Sequence, residues 1–418
     1  MSDEKELECS FCGKSQHEVK RLISGAVAYI CDDCVELCHG ILKQEEIDHK
    51  DQNSPKIKDN EIPNPRAIRE FLDQYVIGQD YAKMVISVAV SNHYKRITNP
   101  IIDDVELDKS NILLIGPSGS GKTYIGQTIA RMLDVPFVIA DATGLTESGY
   151  VGDDVESIIT RLVQNAGYDI KKAERGIVYI DEIDKKAKKE SSSGNRDVSG
   201  EGVQQGLLKM LEGAEIRVPA SGGKKNSNQE LLTINTKNIL FIVGGAFVGL
   251  DKIVNKRLNK NNTSMGIGAK LSVVDKEVEI GKVLEQIESE DLVSFGLIPE
   301  LIGRIPVIGH LNELTEEQLV QILTEPKNSV VKQFNKLFGL DKVDLEFTDE
   351  ALVEIAKIAK TKKVGARGLR SIIEHKLIRI QYELPELFDQ GVSKILVDKN
   401  VIDGTSDPTK IFKENNNI

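Results

Sequence analysis

Asn111-Ile112-Leu113-Leu114-Ile115-Gly116-Pro117-Ser118-Gly119-Ser120-Gly121-Lys122-Thr123 is the stretch from which the rest of the sequence can be read. Its first five residues form a short apolar run of the kind that fills a buried parallel strand. The next eight match the full phosphate-cradling pattern, glycine, four residues, then Gly-Lys-Thr, placed directly after a strand. Its glycines let successive backbone N–H groups turn toward a phosphate with no side chain in the way. A helix from about Thr123 adds its positive N-terminal end. Lys122 is placed to reach β- and γ-phosphates, and the Thr123 hydroxyl to ligate Mg²⁺. The nucleotide-binding set read here is Gly116, Pro117, Ser118, Gly119, Ser120, Gly121, Lys122 and Thr123, with Tyr124 next to it.

Working outward, Pro136-Phe137-Val138-Ile139, Ile177-Val178-Tyr179-Ile180 and Asn238-Ile239-Leu240-Phe241-Ile242-Val243 read as further buried strands. Between the second and third of the four lies a helical period carrying Val155, Ile158, Ile159, Leu162 and Val163 on one face. Such alternation predicts an α/β fold, a parallel sheet covered on both sides. After about residue 311 helical periods take over, as in Leu314–Val331 and Thr348–Ala359, and predict a smaller, mainly helical domain. The third strand ends in Asp181-Glu182. Two carboxylates at the tip of a buried strand are costly unless they are used. Asp181 fits the acid that holds Mg²⁺, and Glu182 the general base on an attacking water. That pairing points to ATP hydrolysis to ADP and phosphate, beyond binding alone.

Cys9-x2-Cys12 and Cys31-x2-Cys34 stand 18 residues apart. Each pair sets two thiolates on one metal, and four sulfur ligands in this spacing indicate a closed, structural Zn²⁺ site. So short a segment cannot bury enough apolar surface to fold alone, so the metal supplies folding free energy. Cys38 is left over and reads as a small buried hydrophobe, and neither His17 nor His39 sits at knuckle spacing. The predicted organisation is a zinc-binding domain over 1–48, a charged, proline-punctuated linker over 49–64, a large α/β domain over 65–310 and a small helical domain over 311–418.

Composition sets limits on partners. The 418 residues are 40% hydrophobic and 28% charged, ordinary for a globular protein, and 54 basic residues against 65 acidic leave a net charge of −11. That balance argues against nucleic acid as the main partner. The longest apolar run, Ile239–Leu250, falls short of the roughly 20 residues a membrane span needs. Clustered cysteines and an acidic, polar start place the chain in the cytoplasm.

Taken with Val76-Ile77-Gly78-Gln79, Gly149-Tyr150-Val151-Gly152, Arg196-Asp197-Val198-Ser199-Gly200-Glu201-Gly202, Gly303-Arg304-Ile305-Pro306 and Gly365-Ala366-Arg367-Gly368, the sequence resembles the ClpX family of AAA+ ATPases over nearly its whole length. The resemblance implies an ATP-dependent unfoldase working as a homo-hexamer. Protein substrates, tagged or unfolded and in part delivered by adaptor proteins, would be pulled through a central pore into the separate ClpP peptidase. It places Val76 and Ile77 against adenine. Arg304 becomes the arginine finger that serves a neighbouring subunit's nucleotide, and Arg367 the sensor of the small domain. Tyr150 and Val151 grip the moving chain, and Arg196–Gly202 forms a second pore loop, expected to be unstructured. Two departures stand out. The family's basic Arg-Lys-His loop at the pore entrance is here Gly223-Lys224-Lys225-Asn226. Its Ile-Gly-Phe docking tripeptide is here Met265-Gly266-Ile267, which lacks the aromatic ring and is expected to dock more weakly. No polar residue at the end of the Ile239–Val243 strand stands out as a first sensor. Two other readings have less support: a DNA-associated ATPase, for which the sequence offers no basic recognition helix, and a nucleotide-gated scaffold without turnover, against which Glu182 counts.

Overall fold

The apolar runs at 112–115, 177–180 and 240–243 need cover on both faces, and the fold supplies it. In the computed structural model β1 (Ile112–Ile115), β2 (Phe137–Asp141), β3 (Ile177–Asp181), β4 (Leu240–Gly245) and β5 (Val307–His310) form one sheet. The strand order is β5-β1-β4-β3-β2, parallel throughout. The structure describes residues 8–15, 17, 19–25, 28–35, 64–99, 101–102, 104–146, 153–188, 198–220, 231–261, 281 and 283–412.

Side chains alternate across a strand, so each run feeds two cores. Leu113, Ile115, Val178, Ile180, Phe241 and Val243 face one core with the helices Ser157–Asn165 and Val198–Glu212. Ile112, Leu114, Ile177, Tyr179, Leu240 and Ile242 face the other, with Pro65–Asp73, Asp80–Thr98 and Lys122–Leu133. The four strands read from the sequence fall within two residues of their expected bounds, and Val155 lies just ahead of its helix, still buried.

Beyond β5 a third core gathers around the helices Glu316–Thr324, Val330–Leu340, Asp349–Thr361 and Gly365–Asp389. Local chemistry sets their starts. Thr315 and Gln318 form a capping box, and Ser329 and Thr348 accept from the N–H groups of Lys332 and Ala351. The helical period over Leu314–Val331 is two helices, because the chain turns at Pro326, where Lys327 N donates to Gln74 O at 3.0 Å. This part also holds a three-stranded sheet, β6 (Asp344–Phe347), β7 (Val392–Val397) and β8 (Thr409–Phe412), with β7 in the middle.

The chain divides into two compact units, Met1–Lys56 and Ile57–Ile418. In the first, Leu22–Ser24 and Tyr29–Cys31 make an antiparallel hairpin. One expectation is corrected: of the segment proposed as an unstructured second pore loop, Val198–Gly202 begins the Val198–Glu212 helix. Its glycines are tolerated there because the apolar Val203, Leu207, Met210 and Leu211 that follow bury one face. Arg196 and Asp197, Tyr150 and Val151, Gly223–Asn226, Met265–Ile267 and Cys38 lie outside the described residues. Among the described residues no helix is long and apolar enough to cross a membrane.

Candidate nucleotide and metal sites

The phosphate loop leaves β1 and is bent by two glycines in the left-handed region, Gly119 at φ +78° and Gly121 at φ +104°. Lys122 opens the helix, and its Nζ donates to Gly116 O at 2.6 Å and Pro117 O at 3.0 Å, which holds the ammonium over the loop. Burial draws its pKa below the ordinary lysine value, and the Asp181 carboxylate offsets part of that. Thr123 Oγ1 donates to Asp181 Oδ2 at 3.0 Å, so the two groups assigned to Mg²⁺ already share one locus.

Asp181 is tied on its other oxygen as well. Glu182 N donates to Oδ1 at 3.0 Å and Tyr179 Oη to the same oxygen at 3.4 Å. Tyr179 fits beneath Gly244 of β4, where an added Cβ would lie 2.0 Å from the phenol oxygen. Glu182 takes φ +59°, a left-handed turn that ends the strand directly after Asp181. At the end of β4 the polar contact is made by the main chain, Ala246 N donating to Asp184 Oδ1 at 3.1 Å.

A cavity of about 450 Å³ opens beside the loop. Val76, Ile77, Tyr75 and Tyr124 line one side, and Leu314, Ile322, Val330 and Arg367 of the region after β5 line the other. The apolar walls suit a flat base, and the loop at one end suits phosphates. Arg367 Nη2 lies 4.0 Å from Asp181 Oδ2, a long contact for an arginine that is 67% exposed. Its helix leans on the loop through glycines: Ala366 N donates to Gly119 O at 3.3 Å, and a Cβ on Gly365 would meet Gly119 Cα at 3.1 Å. Arg304 stands apart from this cavity, its Nη2 2.9 Å from Glu212 Oε1. Tyr75, Leu314, Ile322 and Val330 are not legible from sequence because nothing local distinguishes them from ordinary core residues.

In the first unit the four sulfurs of Cys9, Cys12, Cys31 and Cys34 lie within 4.8 Å of one another. Cys9 and Cys34 are 4.0 Å apart, and Cys12 and Cys31 3.6 Å. A tetrahedron with Zn–S bonds of about 2.3 Å has edges of about 3.8 Å, so the four fit Zn²⁺. Gly13 at φ +74° closes the first knuckle, and Cys31 N donates to Cys9 Sγ at 3.3 Å, joining it to the second.

Comparison with known proteins agrees with both sites. Residues 7–44 match the ClpX C4-type zinc finger, 107–308 the AAA domain (Cdc48 subfamily), and 314–385 the C-terminal, D2-small domain, of ClpB protein. The ATP-dependent Clp protease ATP-binding subunit ClpX of Treponema denticola is 50% identical over 408 residues, 97% of this chain and 96% of that one. The chain belongs to the ClpX family of AAA+ ATPases. It is therefore an ATPase and a chaperone whose cofactors are ATP, Mg²⁺ and Zn²⁺. Within this ClpX-family chain the zinc module and the nucleotide cavity sit in separate compact units.

Proposed function

We propose that this chain is one subunit of a homo-hexameric ring that unfolds proteins and passes them to the ClpP peptidase. The relative from Treponema denticola carries the name of a Clp protease subunit, and the same partnership is proposed here. The observation that supports the motor best is the cavity itself: the phosphate loop forms one wall and the region after β5 another, with Arg367 reaching toward Asp181. A nucleotide held there touches both parts, so its phosphate state sets the angle between them.

The residue roles proposed with this reading are as follows. Val76 and Ile77 hold the base. Gly116–Thr123 with Tyr124 hold the phosphates, Lys122 draws electron density from the γ-phosphate, and Thr123 and Asp181 hold the metal. Mg²⁺, when bound, neutralises charge developing on the phosphoryl oxygens. Glu182 takes the proton from the attacking water, and Arg367 reads the phosphate. Arg304, outside its own cavity, completes a neighbour's site, which requires a ring. Tyr150 and Val151 grip substrate, and Met265-Gly266-Ile267 docks ClpP. We assign the zinc domain to 1–48, the linker to 49–64 and the two ATPase domains to 65–310 and 311–418, in a cytoplasmic protein whose substrates and adaptors meet the zinc domain first.

The test follows loss of fluorescence from a stable fluorescent protein bearing an unstructured degradation tag, with ATP, alone and with ClpP. Loss that needs hydrolysable ATP is expected, made irreversible by ClpP. ATP turnover with no loss under any tag would sink the unfoldase reading.

A further inference from the structure

Gln79 is buried at the start of the Asp80–Thr98 helix and is the second of two consecutive left-handed residues, after Gly78 at φ +64° and with φ +59° of its own. A non-glycine side chain at such a φ is unusual and signals a constraint from elsewhere. Its amide explains the constraint. Oε1 accepts from Asn312 N at 2.8 Å, and Nε2 donates to Asn312 O at 2.9 Å and to Ser120 O at 3.3 Å. One side chain thus joins the phosphate loop to residue 312, which lies between β5 and the Thr315 cap, on the connection to the small domain.

Neighbouring contacts tighten that junction. Leu311 N donates to Ile115 O at 2.7 Å, and a Cβ on Gly116 would meet Leu311 O at 2.7 Å. A Cβ on Gly78 would meet Gln318 Nε2, in the first turn of the small domain, at 2.5 Å. In a trans peptide the carbonyl and the following N–H point in opposite directions. By holding the Ser120 carbonyl outward, Gln79 aims the Gly121 N–H toward the phosphate side of the loop.

We propose that Gln79 is a positioning residue that couples occupancy of the phosphate loop to the inter-domain connection at Asn312. A phosphate drawing on the Gly121 N–H fixes the Ser120 peptide, which fixes the Gln79 amide, which fixes the Asn312 backbone. The proposal rests on the nucleotide-site reading above.

Hydrogen-exchange mass spectrometry on the full chain, with and without ADP, reads this coupling in peptides spanning 311–315. ADP is expected to slow exchange there in the unaltered chain. Gln79→Gly removes all three hydrogen bonds and still accepts the left-handed backbone. It is expected to abolish the ADP response at 311–315 and to raise the ADP dissociation constant about ten-fold, the scale of one or two lost hydrogen bonds. Gln79→Glu keeps an acceptor for Asn312 N but sets an oxygen against the Asn312 and Ser120 carbonyls. It is expected to lose ADP affinity to at least the same extent and to lower the thermal midpoint, since a carboxylate then faces two carbonyls in a buried site, so it is assayed below that midpoint beside the glycine variant. An undiminished ADP response in Gln79→Gly, or ADP binding by Gln79→Glu as tight as in the unaltered chain, overturns the proposal. If the unaltered chain binds no ADP, the nucleotide-site reading itself falls and takes this one with it.

Discussion

Glu182 turns left-handed at the end of β3, and that single backbone choice separates its role from that of Asp181. Asp181 is pinned by Thr123, Tyr179 and the Glu182 N–H, which suits the metal-holding role proposed for it, whereas the backbone at Glu182 leaves the strand in a left-handed turn. Glu182→Gln is expected to bind ATP and to hydrolyse it at least about 100-fold more slowly, the usual worth of a general base. Turnover assays beside binding of a fluorescent nucleotide check it, and retained turnover removes the role. His93 makes a second residue-scale case. It is buried, its Nε2 donates to Asn238 O at 3.1 Å, and its Nδ1 has no hydrogen-bond partner. Burial, then the charges of Arg96 and Lys109, hold its pKa down at about 3. The folded chain therefore resists protonation that the unfolded chain accepts below about 6.5, so stability is complete above that pH and is lost as pH falls toward 3. At pH 5 the loss is roughly 2 kcal/mol, and His93→Gln should flatten that part of the profile in denaturant titrations.

Elements tell a mixed story about legibility. All five sheet strands were readable except β5, because a run apolar on both faces bounded by turn residues has few alternatives. β5 (Val307–His310) hid because Gly309 and His310 break its apolar pattern, and the sheet accepts them beside β1. The strands of the small domain hid for a related reason: Asp344-Leu345-Glu346-Phe347 alternates over only four residues, too few to outweigh the helices around it. The Val198–Glu212 helix began earlier than composition suggested, since its tertiary face outweighs two glycines. At this scale the contact of the Gly365–Asp389 helix on the phosphate loop is testable. Gly365→Ala puts a Cβ 3.1 Å from Gly119 Cα at φ +57°. A cost of about 1–2 kcal/mol is expected, read as weaker ADP binding in calorimetry, and an unchanged affinity would mean that the contact plays no part in holding nucleotide.

At the scale of the whole molecule two predictions separate its working parts. If Arg304 serves a neighbour, Arg304→Ala and Glu182→Gln chains, each inactive alone, should regain ATP turnover when mixed. Mixed rings then contain sites with an intact base and an intact finger, and absence of any recovery would count against action across subunits. Replacing Cys9 with Ser removes one of four sulfurs and the acceptor of the Cys31 N–H. Zinc release and loss of structure within Met1–Lys56 are expected, with the melting transition of Ile57–Ile418 unmoved in calorimetry, because the two units have separate cores.

The sequence by itself determined the chemistry. A phosphate loop, an Asp-Glu pair and two Cys-x2-Cys knuckles are local patterns whose spacing is fixed by backbone geometry, so each could be read without knowing what lay opposite. The sheet's two-sided burial was legible for the same reason. Only the tertiary structure decided what those patterns meet. Tyr179 under Gly244, Ile322 and Val330 across from Val76, Gln79 on Ser120 and Asn312, and Arg367 near Asp181 are pairings between residues tens to hundreds of positions apart. No local rule encodes them, because each depends on the packing of elements that are individually ordinary.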